Sequence, residues 1–291
     1  MQIISKGLKF TYNKKTEFCR QALQGVDLTI SSGDFFGIIG QTGSGKSTFI
    51  QHLNGLIPVQ EGSLLVGEYD LSLGKKTNKK LLKELRQKVG MVFQYPEYQL
   101  FAETVYEDVA FGYRNFNKNF TKEEEIIAVA TALTSVGLDF NEVRNKSPFD
   151  LSGGQKRRVA LAGVLVTKPE ILILDEPVAG LDPVGKKELM LLLHSLHKTT
   201  IKTIVIVSHD MDEVCENCSK VAVFSSGKCV KVDTPKNLFT DYQEILDLRL
   251  DVPLTAKLTF GLEEVGTKIE SDYKIDNFIK GVIEKYKESI K

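Results

Sequence analysis

The sequence predicts an α/β protein. An α/β core is preceded by an antiparallel β region, interrupted by an inserted helical subdomain at about 96–166, and followed by a small helical extension over 241–291. Three observations lead there. Phe35-Phe36-Gly37-Ile38-Ile39 is apolar enough to be buried on both faces, and a glycine-rich turn and a helical pattern follow it. Short apolar runs at Ile171–Leu174 and Thr203–Val207 flank another helical pattern, as parallel strands with crossover helices require. Between the Phe35–Ile39 region and those runs, from Pro96 to about Pro148, the periodicity turns helical.

The elements follow in order. Ile3-Ile4, Leu8–Tyr12 and Leu23–Ile30 alternate in the β manner up to the turn Ser31-Ser32-Gly33-Asp34. A helix is predicted over Lys46–Leu56, with strands at Ser63–Val66 and Val89–Phe93. The lysine-rich Lys75–Lys88 has Leu81, Leu82 and Leu85 at helical spacing and no interleaved aromatics, so a solvated amphipathic helix is expected rather than a basic binding patch. Helices follow at Val105–Phe111 and at Lys122–Val136, the latter capped by Thr121 with glutamates in its first turn. Ser152 opens a helix to Val166, and Pro183–His197 forms another. Strands at Lys220–Phe224 and Lys228–Val232 close an α/β domain over 1–240, and the charged extension ends in a helix at Ile275–Ile290.

Composition sets the class. The 38 basic and 38 acidic residues cancel, and 42% hydrophobic with 26% charged residues is the balance of a soluble globular chain. Zero net charge removes the simplest argument for binding nucleic acid or an anionic membrane. No apolar run approaches the about 20 residues of a spanning helix. The start, Met1-Gln-Ile-Ile-Ser-Lys, lacks a signal-peptide core, so an intracellular, non-integral protein is expected. Cys215-x-x-Cys218 has no second pair at zinc-ligand spacing, which predicts free thiols on a surface helix. His194 and His197 likewise lack partners at fixed spacing and suit a polar helix face.

Chemistry enters at Gly40-Gln41-Thr42-Gly43-Ser44-Gly45-Lys46-Ser47-Thr48, a G-x-x-x-x-G-K-S segment between a buried strand and a helix. Glycines permit the backbone to turn its N–H groups onto phosphates, and the helix N-terminus adds partial positive charge. Lys46 can reach the β- and γ-phosphates, and the Ser47 hydroxyl suits Mg²⁺. A nucleoside triphosphate is the expected ligand. Ile171-Leu-Ile-Leu-Asp175-Glu176 ends an apolar strand in two carboxylates, which should emerge beside this loop. Asp175 suits Mg²⁺ coordination and Glu176 can polarise an attacking water as general base.

Leu151-Ser152-Gly153-Gly154-Gln155 opens a helix and so forms a second N-terminal anion site. Together with the phosphate loop it resembles the ATP-binding-cassette (ABC) ATPases. The resemblance implies ATP and Mg²⁺ as ligands, and a head-to-tail dimer in which each LSGGQ closes on the partner's ATP. It further implies that Tyr12 stacks on adenine and that Gln94 touches Mg²⁺ and water as the subdomains rotate. Asp182, in Ala179-Gly-Leu-Asp, would cross the dimer interface, and His209 would bond the γ-phosphate. Val178 departs from the family's usual Thr or Ser, at a position without a catalytic role.

Two classes of cassette remain to be weighed, transporter motors and soluble ATPases acting on nucleic acid or ribosomes. Only about a hundred residues separate Ser47 from Leu151, without sustained heptads, and there is one cassette. Transport is therefore favoured, with no nucleic-acid partner. Phe93-Gln-Tyr-Pro-Glu-Tyr-Gln-Leu-Phe101 and Thr104-Val-Tyr-Glu-Asp-Val-Ala-Phe-Gly112 resemble the energy-coupling factor (ECF) ATPases of prokaryotic vitamin and metal-ion importers, in the variant of their second paralogue. That likeness implies a peripheral protein on the cytoplasmic face of the membrane. Its partners would be a second ATPase chain, a transmembrane coupling subunit and a separate substrate-binding membrane protein. Hydrolysis is expected to be slow at dilutions where the chain is monomeric; full turnover there would contradict the shared-site dimer.

Overall fold

The computed structural model describes residues 1–289, so Ile290, the expected end of the last helix, lies outside the described residues. Strands β1 (Ile3–Tyr12) and β2 (Arg20–Ile30) form a long hairpin, and β3 (Phe35–Gly40) leads through the glycine-rich loop into α1 (Lys46–Leu53). Next come β4 (Glu61–Val66), the short β5 (Tyr69–Asp70), α2 (Lys79–Lys88) and β6 (Val89–Val92). The helical insert holds α3 (Val105–Phe116), α4 (Lys122–Ser135), the single turn α5 (Phe140–Val143) and α6 (Gly153–Leu165). The core resumes with β7 (Ile171–Asp175), α7 (Pro183–Thr199), β8 (Thr203–Val207), α8 (Met211–Asn217), β9 (Lys220–Ser225) and β10 (Lys228–Asp233). Helices α9 (Pro235–Thr240), α10 (Tyr242–Asp247), α11 (Leu254–Glu264) and α12 (Ile275–Ser289) follow.

Two sheets organise these elements. One is a four-stranded antiparallel sheet in the order β2-β1-β4-β5. The other has six strands, β10-β9-β3-β8-β7-β6, parallel except for the edge strand β10. Alternation along the strands splits the interior into two cores. Phe36, Ile38, Ile171, Ile173, Val205 and Val207 face α1 and the antiparallel sheet. Phe35, Ile39, Leu172, Leu174, Ile204 and Ile206 face the helices on the other side. Full burial of each such side chain is worth roughly 1.5–3 kcal/mol, which fixes the register against a one-residue slip.

That register places the site. Ile38 and Asp175 both pair with Val207, and Val92 pairs with Leu174. The carboxyl ends of β8, β7 and β6 therefore stop within one residue of a common level, and β3 runs two residues beyond it to Gly40. The residues that follow them emerge side by side along one rim, where open α/β sheets bind ligands.

Local departures from the sequence reading have physical causes. The lysine-rich helix starts at Lys79 rather than Lys75, because the Asn78 side chain caps it by accepting from Lys80 N and a 3₁₀ turn precedes it. Helix α1 stops at Leu53 rather than Leu56, where the Asn54 side chain donates to Val89 O (2.8 Å) and Gly55 turns left-handed. Helix α3 runs on to Phe116, past Gly112, whose missing side chain lets α3 approach α6. A Cβ there would lie 2.5 Å from Gly163 O. Cys215 and Cys218 are free thiols but buried rather than on a helix surface, since α8 packs that face inward. After Thr240 the chain does not stand apart: Ile245, Leu250, Val252, Ala256 and Tyr273 join the apolar cluster that holds Met211 and Val214.

The helical insert has a polar anchor. Glu125, with its side chain 1% exposed, accepts from Arg114 Nε (2.6 Å) and Nη2 (2.8 Å), Lys122 Nζ (2.7 Å) and Tyr106 Oη (2.5 Å). These bonds, with Arg114 first, hold its carboxyl down at about 2 from 4.5. A depressed carboxyl pKa stabilises the fold above its unfolded value and loses that contribution as pH falls towards the folded value. Glu125→Gln is expected to cost about 2–3 kcal/mol in urea titrations at pH 7, below the full cost of breaking a buried pair because Arg114 and Lys122 stay partly solvated. The gap from the parent chain should close as pH drops from 4.5 towards 2; a gap independent of pH would refute the ionised anchor.

Candidate active site

The phosphate loop is shaped by backbone. Gly40, Gly43 and Gly45 have φ of 151°, 81° and 105°. A Cβ at Gly40 would meet Phe224 O at 2.3 Å, and one at Gly45 would meet Ala22 O at 2.6 Å, so both positions require glycine. Lys46 is buried, and its Nζ donates to Gly40 O (2.6 Å) and Gln41 O (3.0 Å). Burial lowers its pKa, opposed by the negative charges of Glu176 and Asp175. Ser44 Oγ is buried without a hydrogen-bond partner among the described residues. An orphaned hydroxyl and an ammonium turned onto loop carbonyls make a cradle suited to phosphate oxygens.

Four adjacent strand ends supply the rest. Asp175 closes β7, and burial raises its carboxyl pKa while a Ser47 hydrogen bond lowers it. Glu176 follows with φ of +50°, a strained conformation costing on the order of 1–3 kcal/mol for a residue with a side chain. Its N–H donates to Val207 O (2.9 Å), extending the ladder one residue. Both of its carboxylate oxygens are then occupied. Gln94 Nε2, two residues beyond β6, donates to Oε2 (3.1 Å), and His209 Nε2, two residues beyond β8, lies 2.8 Å from Oε1. A cavity of about 310 Å³ joins Lys46, Ser47, Gln94, Glu176 and His209 to Tyr12 and Thr48. Tyr12 Oη and Thr48 Oγ1 are hydrogen-bonded at 3.2 Å, and the half-exposed ring of Tyr12 sits edge-on to Phe10 at the far end.

Other residues singled out by the sequence lie elsewhere. Ser152 Oγ accepts from Gln155 N (3.3 Å) and Gln155 Oε1 accepts from Ser152 N (3.1 Å), a reciprocal capping box at the start of α6. None of Leu151, Ser152, Gly153, Gly154 and Gln155 lines the cavity, and a Cβ on Gly153 or Gly154 would meet nothing within 4 Å. Asp182 is exposed and caps α7 by accepting from Gly185 N (2.6 Å). Exposed Gln41 stands at the loop's outer turn, while Thr42 beside it lines the cavity.

Two residues at the site have no motif to announce them. Arg20 lines the cavity with Nη2 3.5 Å from Gly43 O, and it has no carboxylate partner among the described residues. Nothing but its position just before the buried Ala22 of β2 distinguishes it in sequence. Glu213 accepts from Ser208 Oγ (2.8 Å) next to His209, and burial pushes its carboxyl up to about 7.

Comparison with known proteins identifies the family of the chain. The profile of the ABC transporter family matches residues 23–179. An energy-coupling factor transporter ATP-binding protein, EcfA2, of Clostridium tetani is 44% identical over 94% of this chain and 92% of its own length. The protein of that name from Symbiobacterium thermophilum is 48% identical over the same shares. This chain belongs to the ATP-binding proteins of energy-coupling factor ABC transporters. Among solved structures, cbiO1 of Clostridium perfringens, described as part of the ABC transporter complex cbiONQ, superposes with a TM-score of 0.72 at 36% identity, covering 88% of this chain and 97% of that one. The ATP-binding cassette MJ0796, solved as a dimer in a post-hydrolysis state with ADP and Pi, gives 0.70 at 29% identity over 80% of this chain and 98% of its own. The ABC ATPase fold, ATP as ligand and hydrolysis coupled to transport follow from this membership.

Arg20 offers a test of the cavity as the nucleotide pocket of this family member. Arg20→Ala is expected to weaken ATP binding about tenfold at low salt, the loss of one charge-assisted hydrogen bond, and less at high salt. Fluorescent-nucleotide titration at two ionic strengths measures it, and an unchanged affinity at both would place the phosphates away from Arg20.

Proposed function

We propose that this chain is the ATP-driven motor of an energy-coupling factor importer for a vitamin or metal ion, working in trans on membrane subunits it does not itself contain. The observation that carries the reading is the double engagement of Glu176 by Gln94 and His209 beside Lys46. A carboxylate with both oxygens occupied is poorly placed to take a proton from water. Only the remaining lone pairs are open to a water while Gln94 and His209 stay on it, so general-base catalysis is favoured when both groups leave, and each has another use once ATP is present.

The phosphates would lie in the loop, with Lys46 leaving the Gly40 and Gln41 carbonyls for the β- and γ-phosphates and Tyr12 stacking on the adenine. The Ser47 hydroxyl and the Asp175 carboxylate are hard oxygen donors side by side, and burial makes the latter's charge costly until a cation offsets it. They would hold Mg²⁺ with Gln94. Magnesium, when bound, neutralises charge on the β- and γ-phosphate oxygens. His209 would turn from Glu176 to the γ-phosphate, leaving Glu176 free to accept the proton of the attacking water.

The partner surfaces follow from what the chain leaves open. Packing within the chain gives no reason for glycine at 153 and 154, whereas close approach of a second chain's phosphates to the α6 N-terminus does. A paralogous cassette in head-to-tail contact, with Asp182 at the junction, is the occupant this reading requires. Gln94 opens a segment that carries exposed Tyr95, Tyr98 and Phe101, with Phe101 edge-on to exposed Phe111 of α3 at 4.9 Å. An apolar patch continuous with a residue that moves with nucleotide is a fit surface for a transmembrane coupling subunit. A separate membrane protein would bind the cargo. No helix among the described residues is long and apolar enough to cross a membrane. Peripheral attachment at the cytoplasmic face, through those subunits, is accordingly part of the proposal.

The test is Glu176→Gln in the complex affinity-purified from its host. Retained ATP binding with turnover reduced at least about 100-fold is expected, the usual scale for losing a general base. Unchanged hydrolysis would remove Glu176 from that role, and co-purification with ribosomes or nucleic acid instead of membrane subunits would overturn the transport reading.

A further inference from the structure

Helix α8 begins two residues after His209 and reaches outwards with two carboxylates. Asp212 Oδ1 accepts from Leu254 N at 2.8 Å, and Glu216 Oε1 accepts from Ile275 N at 2.5 Å. Those amides belong to the first residues of α11 and α12. Neither helix is preceded by a residue able to cap it, since Pro253 has no polar side chain and Lys274 only donates. Unpaired amides and the positive end of each helix are thus satisfied by charges from α8, a favourable placement for carboxylates. Apolar contact continues the seam: Met211, Val214 and Cys215 share one cluster with Val252, Ala256 and Tyr273.

The extension also touches the phosphate loop. Gln41 Nε2 donates to Leu248 O at 3.0 Å, while the backbone carbonyl of Gln41 accepts from Lys46. The turn just after Leu248 is held by Arg249 at φ +54°. On its inner side α8 is fixed by Asp210, which caps it by accepting from Glu213 N (3.0 Å) and pairs with Lys186 of α7 (2.8 Å). The segment carrying His209 is therefore held between α7 and the C-terminal extension, and the same extension contacts the loop that Lys46 would leave on binding ATP.

We propose that Asp212 and Glu216 are positioning residues: by docking the extension on α8 they set His209 against Glu176, and through Leu248 and Gln41 they couple that setting to the occupancy of the phosphate loop. The inference rests on the roles given above to Glu176 and His209. His209 lies between the rigid end of β8 and the start of α8, so its reach is decided by how α8 is seated. An extension seated only by apolar contact can slide along α8. The two carboxylate-to-amide bonds fix its position along that helix.

The experiment compares the full chain, at one protein concentration, with Asp212→Ala/Glu216→Ala and with Asp212→Asn/Glu216→Gln, which keeps the acceptor oxygens. Turnover of the alanine pair is expected to fall about 5- to 20-fold, within the scale set by small misplacements of catalytic groups, with ATP affinity held within about twofold. The amide pair should recover most of the turnover. Normal turnover with a lowered melting temperature would overturn the proposal, since the caps would then only stabilise. A fall in affinity as large as the fall in turnover would also overturn it, by placing the damage in the nucleotide pocket rather than in the seating of His209. Should the alanine pair fail to fold, hydrogen exchange on Glu176→Gln with and without ATP decides: 211–217 and 248–254 should change together, and a change confined to the phosphate loop would contradict the coupling. Turnover surviving Glu176→Gln alone would defeat the assignment of the base and is read separately from the α8 variants.

Discussion

The shared register of four parallel strands is the constraint on which the rest of the molecule depends. Because Ile38, Val207, Asp175 and Val92 fall within one residue of a common level, four unrelated stretches of sequence deliver Lys46, His209, Glu176 and Gln94 to one rim. The register is held by burial on both faces. A slip of one residue in β7 would move Ile171 and Ile173 out of one core and Leu172 and Leu174 out of the other. It would also turn Asp175 away from Ser47. Stability and site geometry are thus set by the same side chains.

Along that rim the charged groups are held by partners within the chain. Lys46 bonds carbonyls of its own loop, and Glu176 is engaged on both oxygens by Gln94 and His209. Burial penalises the charged forms of Lys46 and Asp175, so each is held at a cost that a ligand of opposite sign can relieve. A triphosphate with its cation suits both. Binding is then an exchange of internal bonds for bonds to ligand, and that exchange releases the base. The strained backbone of Glu176 belongs to the same design, since it aims the carboxylate along the rim while its N–H stays in the ladder.

Much of this was legible in the sequence because the decisive groups sit in contiguous segments. Gly40–Ser47, Ile171–Glu176 and Leu151–Gln155 each carry their own local physics of turn, strand end or helix cap, and the structure has the strand, loop and helix where those segments require them. Arg20 was not legible, because its approach to Gly43 depends on how the β1–β2 hairpin folds over the loop. The contacts of Gln41 with Leu248 and of Glu216 with Ile275 join residues far apart in the chain, and no spacing rule links them. The thiols of Cys215 and Cys218 were misplaced on the surface for the same reason. Cys218 packs against Gly37 of β3, far earlier in the chain, and Cys215 is covered by a later turn whose Asp272 carbonyl lies 3.7 Å from its Sγ.

The central claim is that ATP frees Glu176 by drawing Gln94 and His209 away together. A structure of the dimeric Glu176→Gln variant with ATP and Mg²⁺ tests it most directly. The account requires the Gln94 side chain at the metal, the His209 ring at the γ-phosphate, and neither within hydrogen-bonding distance of residue 176. A closed, nucleotide-filled dimer in which either group kept its bond to that residue would contradict it.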